Sequence, residues 1–255
     1  MMGELRLAGY QTWLEQRSFW RNAEYVVFTF ALPPLLLVII GSTKQWGSIP
    51  GTHVSEIALF IPSILAFGVA VAAFSNLATR IAILRSDGVL KRIRTTPLRP
   101  ATYLVAKLVS TVLTTLLVGV VTMLLGLVIY GVTPQASSVP LLILGLLIGV
   151  TCFAALGLAL STAIRNADVA SPIVNVTYLP IAIVSGVFDP TMTLPGWLSK
   201  FVGYLPIKPL ADILEDSYNP AVHAFPGTDL IVLAAWSVSG IVIALRWFRW
   251  QPVAS

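Results

Sequence analysis

The chain has 255 residues, 56% of them apolar and only 11% charged, with a formal net charge of +5 and a mean hydropathy of +0.86. An ordinary soluble domain carries roughly 25% charged residues, so this composition excludes a surface dressed for water. The charges sit in clusters between uncharged runs, and each run of about 18 or more residues can cross a bilayer core of roughly 30 Å as a helix. Lipid offers no partners for backbone N–H and C=O groups, so a span must satisfy them internally. The pattern predicts an all-α, polytopic membrane protein with six transmembrane helices.

Residues 1–24 are polar, with Tyr10, Trp13, Phe19 and Trp20 interleaved among Arg6, Arg17 and Arg21. They read as an amphipathic helix on the membrane surface, its rings at headgroup level. No removable signal peptide is expected, because this polar segment precedes the first apolar run. Residues 25–255 form the six-span domain. The first span covers about Tyr25 to Thr43, where Pro33 and Pro34 should kink the helix. The second covers about Ile57 to Thr79, and the strongly basic loop 80–107 follows it. The third span runs about Leu108 to Val132 and the fourth about Pro140 to Ile164. In the fourth, Gly145 and Gly149, then Gly157 and Ser161, stand four apart, a spacing that lets helices approach closely. The fifth span covers about Ser171 to Val187 and the sixth about Leu230 to Phe248. Between them, the segment 188–229 is broken by Pro195, Pro206 and Pro209, so short re-entrant helices fit there better than a span.

Lys and Arg in short loops set orientation. With the N-terminus inside, thirteen of the sixteen basic residues fall on the cytoplasmic side, leaving only Lys44, Lys200 and Lys208 outside. Both termini are therefore expected in the cytoplasm. The basic balance then follows from membrane topology, and no nucleic-acid partner is expected.

Catalytic groups are missing from the expected membrane depth. His53 and His223 fall in outer loops, and His53 with Glu56 supplies too few ligands for zinc. Gly41-Ser-Thr-Lys44 lacks the upstream glycine of a phosphate-binding loop. Cys152 sits alone in an apolar run, as a packing residue. Asn76, Asn175 and Thr177 read as helix–helix hydrogen bonders. No catalytic residue, metal site or bound cofactor is expected.

Two stretches carry a resemblance. The first contains Asp87-Gly88, a short helix with Val89, Leu90, Lys91, Arg92, Ile93 and Arg94, and then Thr96-Pro97. The second contains Ser185-Gly186, Phe188, Asp189-Pro190, then Leu194-Pro195-Gly-Trp197-Leu198, then Leu205-Pro206. In order and spacing they resemble the membrane subunits of ABC-2 type transporters, in particular bacterial drug-exporter permeases. Lys91 departs from the pattern, which often has glutamate there.

The resemblance implies a permease of the bacterial inner membrane without its own ATPase. Asp87 to Arg94 and Pro97 would couple to a separate ABC ATPase subunit, which would hold ATP and Mg. Phe188, Pro190, Pro195, Trp197 and Pro206 would form an outer gate. A second permease copy, or a homologous one, and membrane lipid would be the other partners. Leu90→Asp would abolish export while leaving insertion intact. A lipid-modifying membrane enzyme and a secondary carrier are the competing classes; the first lacks an acidic, histidine or cysteine cluster, the second a clear internal repeat.

Overall fold

The computed structural model describes residues 2–48, 55–94, 100–164, 166–219 and 225–248. Their regular structure is entirely helical. In chain order the helices are α1 (Met2–Trp20), α2 (Ala23–Thr43), α3 (Ile57–Val69), α4 (Asn76–Ser86), α5 (Val89–Arg94) and α6 (Pro100–Tyr130). They continue as α7 (Val139–Ala163), α8 (Ala170–Val184), α9 (Gly196–Val202), α10 (Ile207–Asp216) and α11 (Gly227–Trp247).

Among the described residues, five stretches are long and apolar enough to cross a membrane: Tyr25–Thr43, Ile57–Ser86, Thr102–Tyr130, Ala136–Ala163 and Gly227–Trp247. The expected fifth span is shorter, an apolar helix over Ala170–Val184. At 1.5 Å per residue it reaches only about 22 Å. Its last turn stops at Ser185, and Gly186 follows with φ +74, a left-handed turn that favours glycine.

The centre of the bundle is the continuous helix 57–86, whose apolar window is 94% buried. α3 passes into α4 through a π-helical stretch, Ala70–Ser75, where the Asn76 N–H bonds back five residues to the Val71 carbonyl. Such wide turns cluster at functional sites. α2, α6, α7 and α10 all pack against this helix, and α8 contacts α4. α11 covers α7. Pro33 and Pro34 stand inside an unbroken α2.

Small residues set the close approaches. A Cβ on Gly157 would lie 2.7 Å from the Phe74 carbonyl oxygen, so α7 meets the π-helical stretch backbone to backbone. A Cβ on Gly240 would lie 2.8 Å from the Ala155 carbonyl carbon, which brings α11 equally near α7. Gly145 and Gly149 receive the Ile213 and Leu210 side chains of α10. The small-residue spacing read from the fourth span thus serves packing, with α10 as one of its partners. Neither neighbour of Gly157 or Gly240 is a yielding side chain, so Gly157→Val and Gly240→Val are each expected to lower stability by about 1–3 kcal/mol. Gly9→Ala, inside α1 with open space around it, should instead raise stability slightly, by about 0.5–1 kcal/mol, as read by thermal unfolding in detergent.

The expected surface helix α1 packs lengthwise on α6. Thr12, Glu15 and Gln16 turn towards α6, while Tyr10, Trp13 and Trp20 are exposed. α6 begins at Pro100, two turns before the expected start at Leu108, and carries Lys107 within it. Lys107 is buried and its Nζ lies 2.5 Å from Glu15 Oε2. Gln16 Nε2 donates to the Ser110 carbonyl at 2.7 Å and reaches the Ser110 and Thr114 hydroxyls at 3.1 Å. Arg80 of α4 donates to Ser18 Oγ at 2.5 Å. A polar seam therefore fastens α1 to α4 and α6.

Candidate functional site

Two features of helix 57–86 form the candidate site: a groove along its length and a turn at its end. The groove lies between α2, the central helix and α8, with a volume of about 800 Å³. Its walls are mainly apolar and aromatic, including Phe28, Leu36, Phe67, Tyr178 and Phe188. Asn76, Thr79, Ser171 and Asn175 add a few polar groups. This mixture, mostly apolar with sparse polar points, is usual in small-molecule pockets, which commonly span about 300–1,000 Å³.

The π-helical stretch places Asn76 in the groove. Asn76 Nδ2 donates to the buried Thr29 hydroxyl at 2.5 Å, linking α4 to α2. The helix-pairing role read for Asn76 is therefore present, and the same residue also lines the cavity. Thr177 donates within its own helix, to the Ile173 carbonyl at 2.7 Å. Phe67 stacks edge-on with Phe188 at 5.0 Å between ring centres.

At the α2 end away from α1, Lys44 Nζ meets Asp189 Oδ1 at 2.5 Å and Thr191 Oγ1 at 2.8 Å. This ties α2 to the segment following α8. Burial pushes the Asp189 carboxyl up, but bonds from Lys44 and Thr191 outweigh it and hold the group below the usual carboxylate range. The tie is thus complete near neutrality and is lost as pH falls through that depressed value. Lys44→Gln should shift Asp189 titration upwards, as read by carbon-13 chemical shifts.

At the other end of helix 57–86 comes the turn Asp87-Gly88. Gly88 has φ +70, which an L side chain would strain. The Gly88 N–H donates to the Arg85 carbonyl at 3.1 Å, and the Gly88 carbonyl accepts from the Arg92 N–H at 3.1 Å. Arg85 itself is buried and donates to the Ile164 carbonyl, just past the end of α7. The turn is therefore fixed to the end of α7 as well as to α4.

The singled-out coupling residues divide by exposure. Asp87, Lys91 and Arg92 are exposed, while Gly88, Val89 and Ile93 are half-buried. Leu90 is fully buried in the chain's own core. Arg94 closes α5, and Pro97 lies outside the described residues, as do Thr96, His53 and His223.

The five outer residues do not converge on one point. Phe188 lines the groove, whereas Pro206 starts α10 and borders a separate apolar cavity of about 400 Å³ beside Trp236. Pro195 starts α9, Trp197 is 74% exposed, and Pro190 is half-buried after α8. Sequence reasoning singled out Asn76 and Asn175 of the groove lining but missed its apolar and aromatic members from α2 and α8. Among the described residues, no group of three or more His, Cys, Asp or Glu is placed to hold a metal ion. Cys152 is buried.

A search among curated proteins found no match. The family model for the ABC-2 type transporter matches residues 9–217, a region that includes α5, the groove and α10. By that match over most of its length, this multi-pass membrane chain belongs to the ABC-2 type transporter family.

Proposed function

We propose that the chain is the permease subunit of an ATP-binding-cassette exporter. It moves a hydrophobic or amphipathic substrate, a drug or a lipid, out of the cytoplasm or inner leaflet. A separate ATPase subunit binds ATP and Mg and supplies the energy; the permease itself performs no catalysis. The carrying observation is continuity: one helix lines the groove with Phe67, Val71, Asn76, Thr79 and Ile83, then ends at the Asp87-Gly88 turn, where Asp87 is exposed. Force applied at the turn would reach the groove through a rigid, buried element.

In this reading α8 completes a six-span layout with both termini in the cytoplasm of a bacterial cell. The α5 end faces the cytoplasm and meets the ATPase. α9 and α10 dip into the membrane from the outside and close the path there, with Phe188, Pro190, Pro195, Trp197 and Pro206 on the segments that move. A second permease copy, or a homologue, supplies the other half of the path. ATP closure moves the groove between two states, and the substrate shifts that equilibrium by its difference in affinity for them.

The test is reconstitution of the chain with its ATPase in liposomes, with an amphipathic dye as substrate. ATP should drive dye transport, and Ser171→Trp, on an exposed groove position, should slow it several-fold without moving the unfolding midpoint. Transport by the chain alone on an ion gradient, with no ATPase bound, would overturn the proposal.

A further inference from the structure

We propose that Glu215 carries a proton while α10 is seated on α3 and α7, so that seating of this helix is a proton-binding step. The inference rests on side-chain geometry and does not depend on the transport reading or on which membrane face α10 meets.

The seat is closely built. Leu210 and Ile213 drop onto Gly149 and Gly145, where an added Cβ would come within 2.6 Å of each. Beside them Ser63 of α3 is fully buried. Its Oγ lies 2.8 Å from the Leu59 carbonyl oxygen and 2.5 Å from Glu215 Oε1. A serine hydroxyl has one hydrogen, and an ionised carboxylate only accepts. With Glu215 ionised, one of these two short contacts would set lone pairs against lone pairs. With Glu215 protonated, both are satisfied: the acid donates to Ser63 Oγ, and Ser63 donates to Leu59.

The charges around the seat agree. α3, α7 and α8 carry no charged side chain along their lengths. Glu56, just before α3, takes the Gly47 N–H at 3.1 Å. On α10 itself, Lys208 is engaged by Asp212 at 2.6 Å, and Asp216 adds negative charge. α11 contributes Asp229. Burial is the main influence and pushes the Glu215 carboxyl up to about 7. Lys208 and the Ser63 contact oppose the rise, and Asp212 and Asp216 add to it.

The sign follows from linkage. A carboxyl raised by seating favours the seated state fully below its ordinary value of 4.5, and that preference is lost as pH rises through about 7. Between those values one proton changes the seating equilibrium by about ten-fold per pH unit. Alkaline conditions at the α10 face thus loosen the seat.

The full-length protein, with glutamate carboxyls labelled with carbon-13 and held in nanodiscs, gives the test by infrared titration. One labelled acid carbonyl band should persist to near pH 7. Glu215→Gln should remove it and Asp216→Asn should leave it. Hydrogen exchange over residues 207–216, corrected for chemical exchange, should lose protection about ten-fold per pH unit in the same window. That slope should vanish in Glu215→Gln, whose amide still donates to Ser63. Glu215→Asp removes the labelled group while keeping an acid, and assigns the band if the Gln variant does not fold. Absence of any glutamic acid band in the unaltered protein midway through the window, or an unchanged exchange slope in Glu215→Gln, would overturn the proposal.

Discussion

Lys107→Met is expected to cost about 3–5 kcal/mol of stability, because it breaks a buried ion pair and leaves the other charge uncompensated. The Lys107 and Glu15 side chains are only 7% and 10% exposed, and their charged atoms meet at 2.5 Å. Little solvent is present to take up a stranded Glu15 carboxylate. The same seam holds Gln16 against Ser110 and Thr114, so loss of the pair should also loosen the end of α1. The double variant Glu15→Gln with Lys107→Met removes both charges at once. It should recover most of the loss, since replacing a buried pair entirely is often close to neutral. Unfolding midpoints of the four proteins in detergent complete the cycle. A neutral single variant, or a double variant no better than the single, would show that the pair does not hold α1 to α6.

This seam also marks where the sequence stopped being readable. Five of the six expected spans were legible because lipid imposes long apolar runs, and the two short helices α9 and α10 because Pro195 and Pro206 start them. Lys107 read as a loop residue because a cation inside a helix is costly when alone. Its partner lies 92 residues away, and nothing local announces it. The π-helical stretch Ala70–Ser75 was invisible for a different reason. Its small apolar residues suit an ordinary helix equally well, and only the contact with Gly157 and the position of Asn76 reveal the wide turn. The groove was hidden because exposed apolar residues on α2 and α8 resemble lipid-facing ones until the helices are set side by side. Glu215 lies unmarked within the broken outer segment 188–229; the fold makes it part of the face α10 presses onto Ser63.

The turn after α4 calls for a different experiment from the one its sequence suggests. Apolar residues on a short helix among cations look like a surface waiting for a partner, which makes Leu90→Asp the natural test of coupling. Leu90, however, is already covered by the chain's own core. Burying a leucine side chain is worth roughly 1.5–3 kcal/mol, and an aspartate there adds an unpaired buried carboxylate. Leu90→Asp should therefore detach α5 and lower stability, so its loss of transport would say nothing specific about the ATPase. Asp87 and Lys91 are exposed and separate the two effects. Lys91→Glu and Asp87→Lys are expected to keep the unfolding midpoint while reducing co-purification of the ATPase and ATP-driven transport by ten-fold or more. The combined charge swap should not simply add the two losses if both side chains meet the same partner surface. Full transport and full co-purification in both single variants would move the docking surface away from this turn. A lowered midpoint would instead show that these two side chains support the fold.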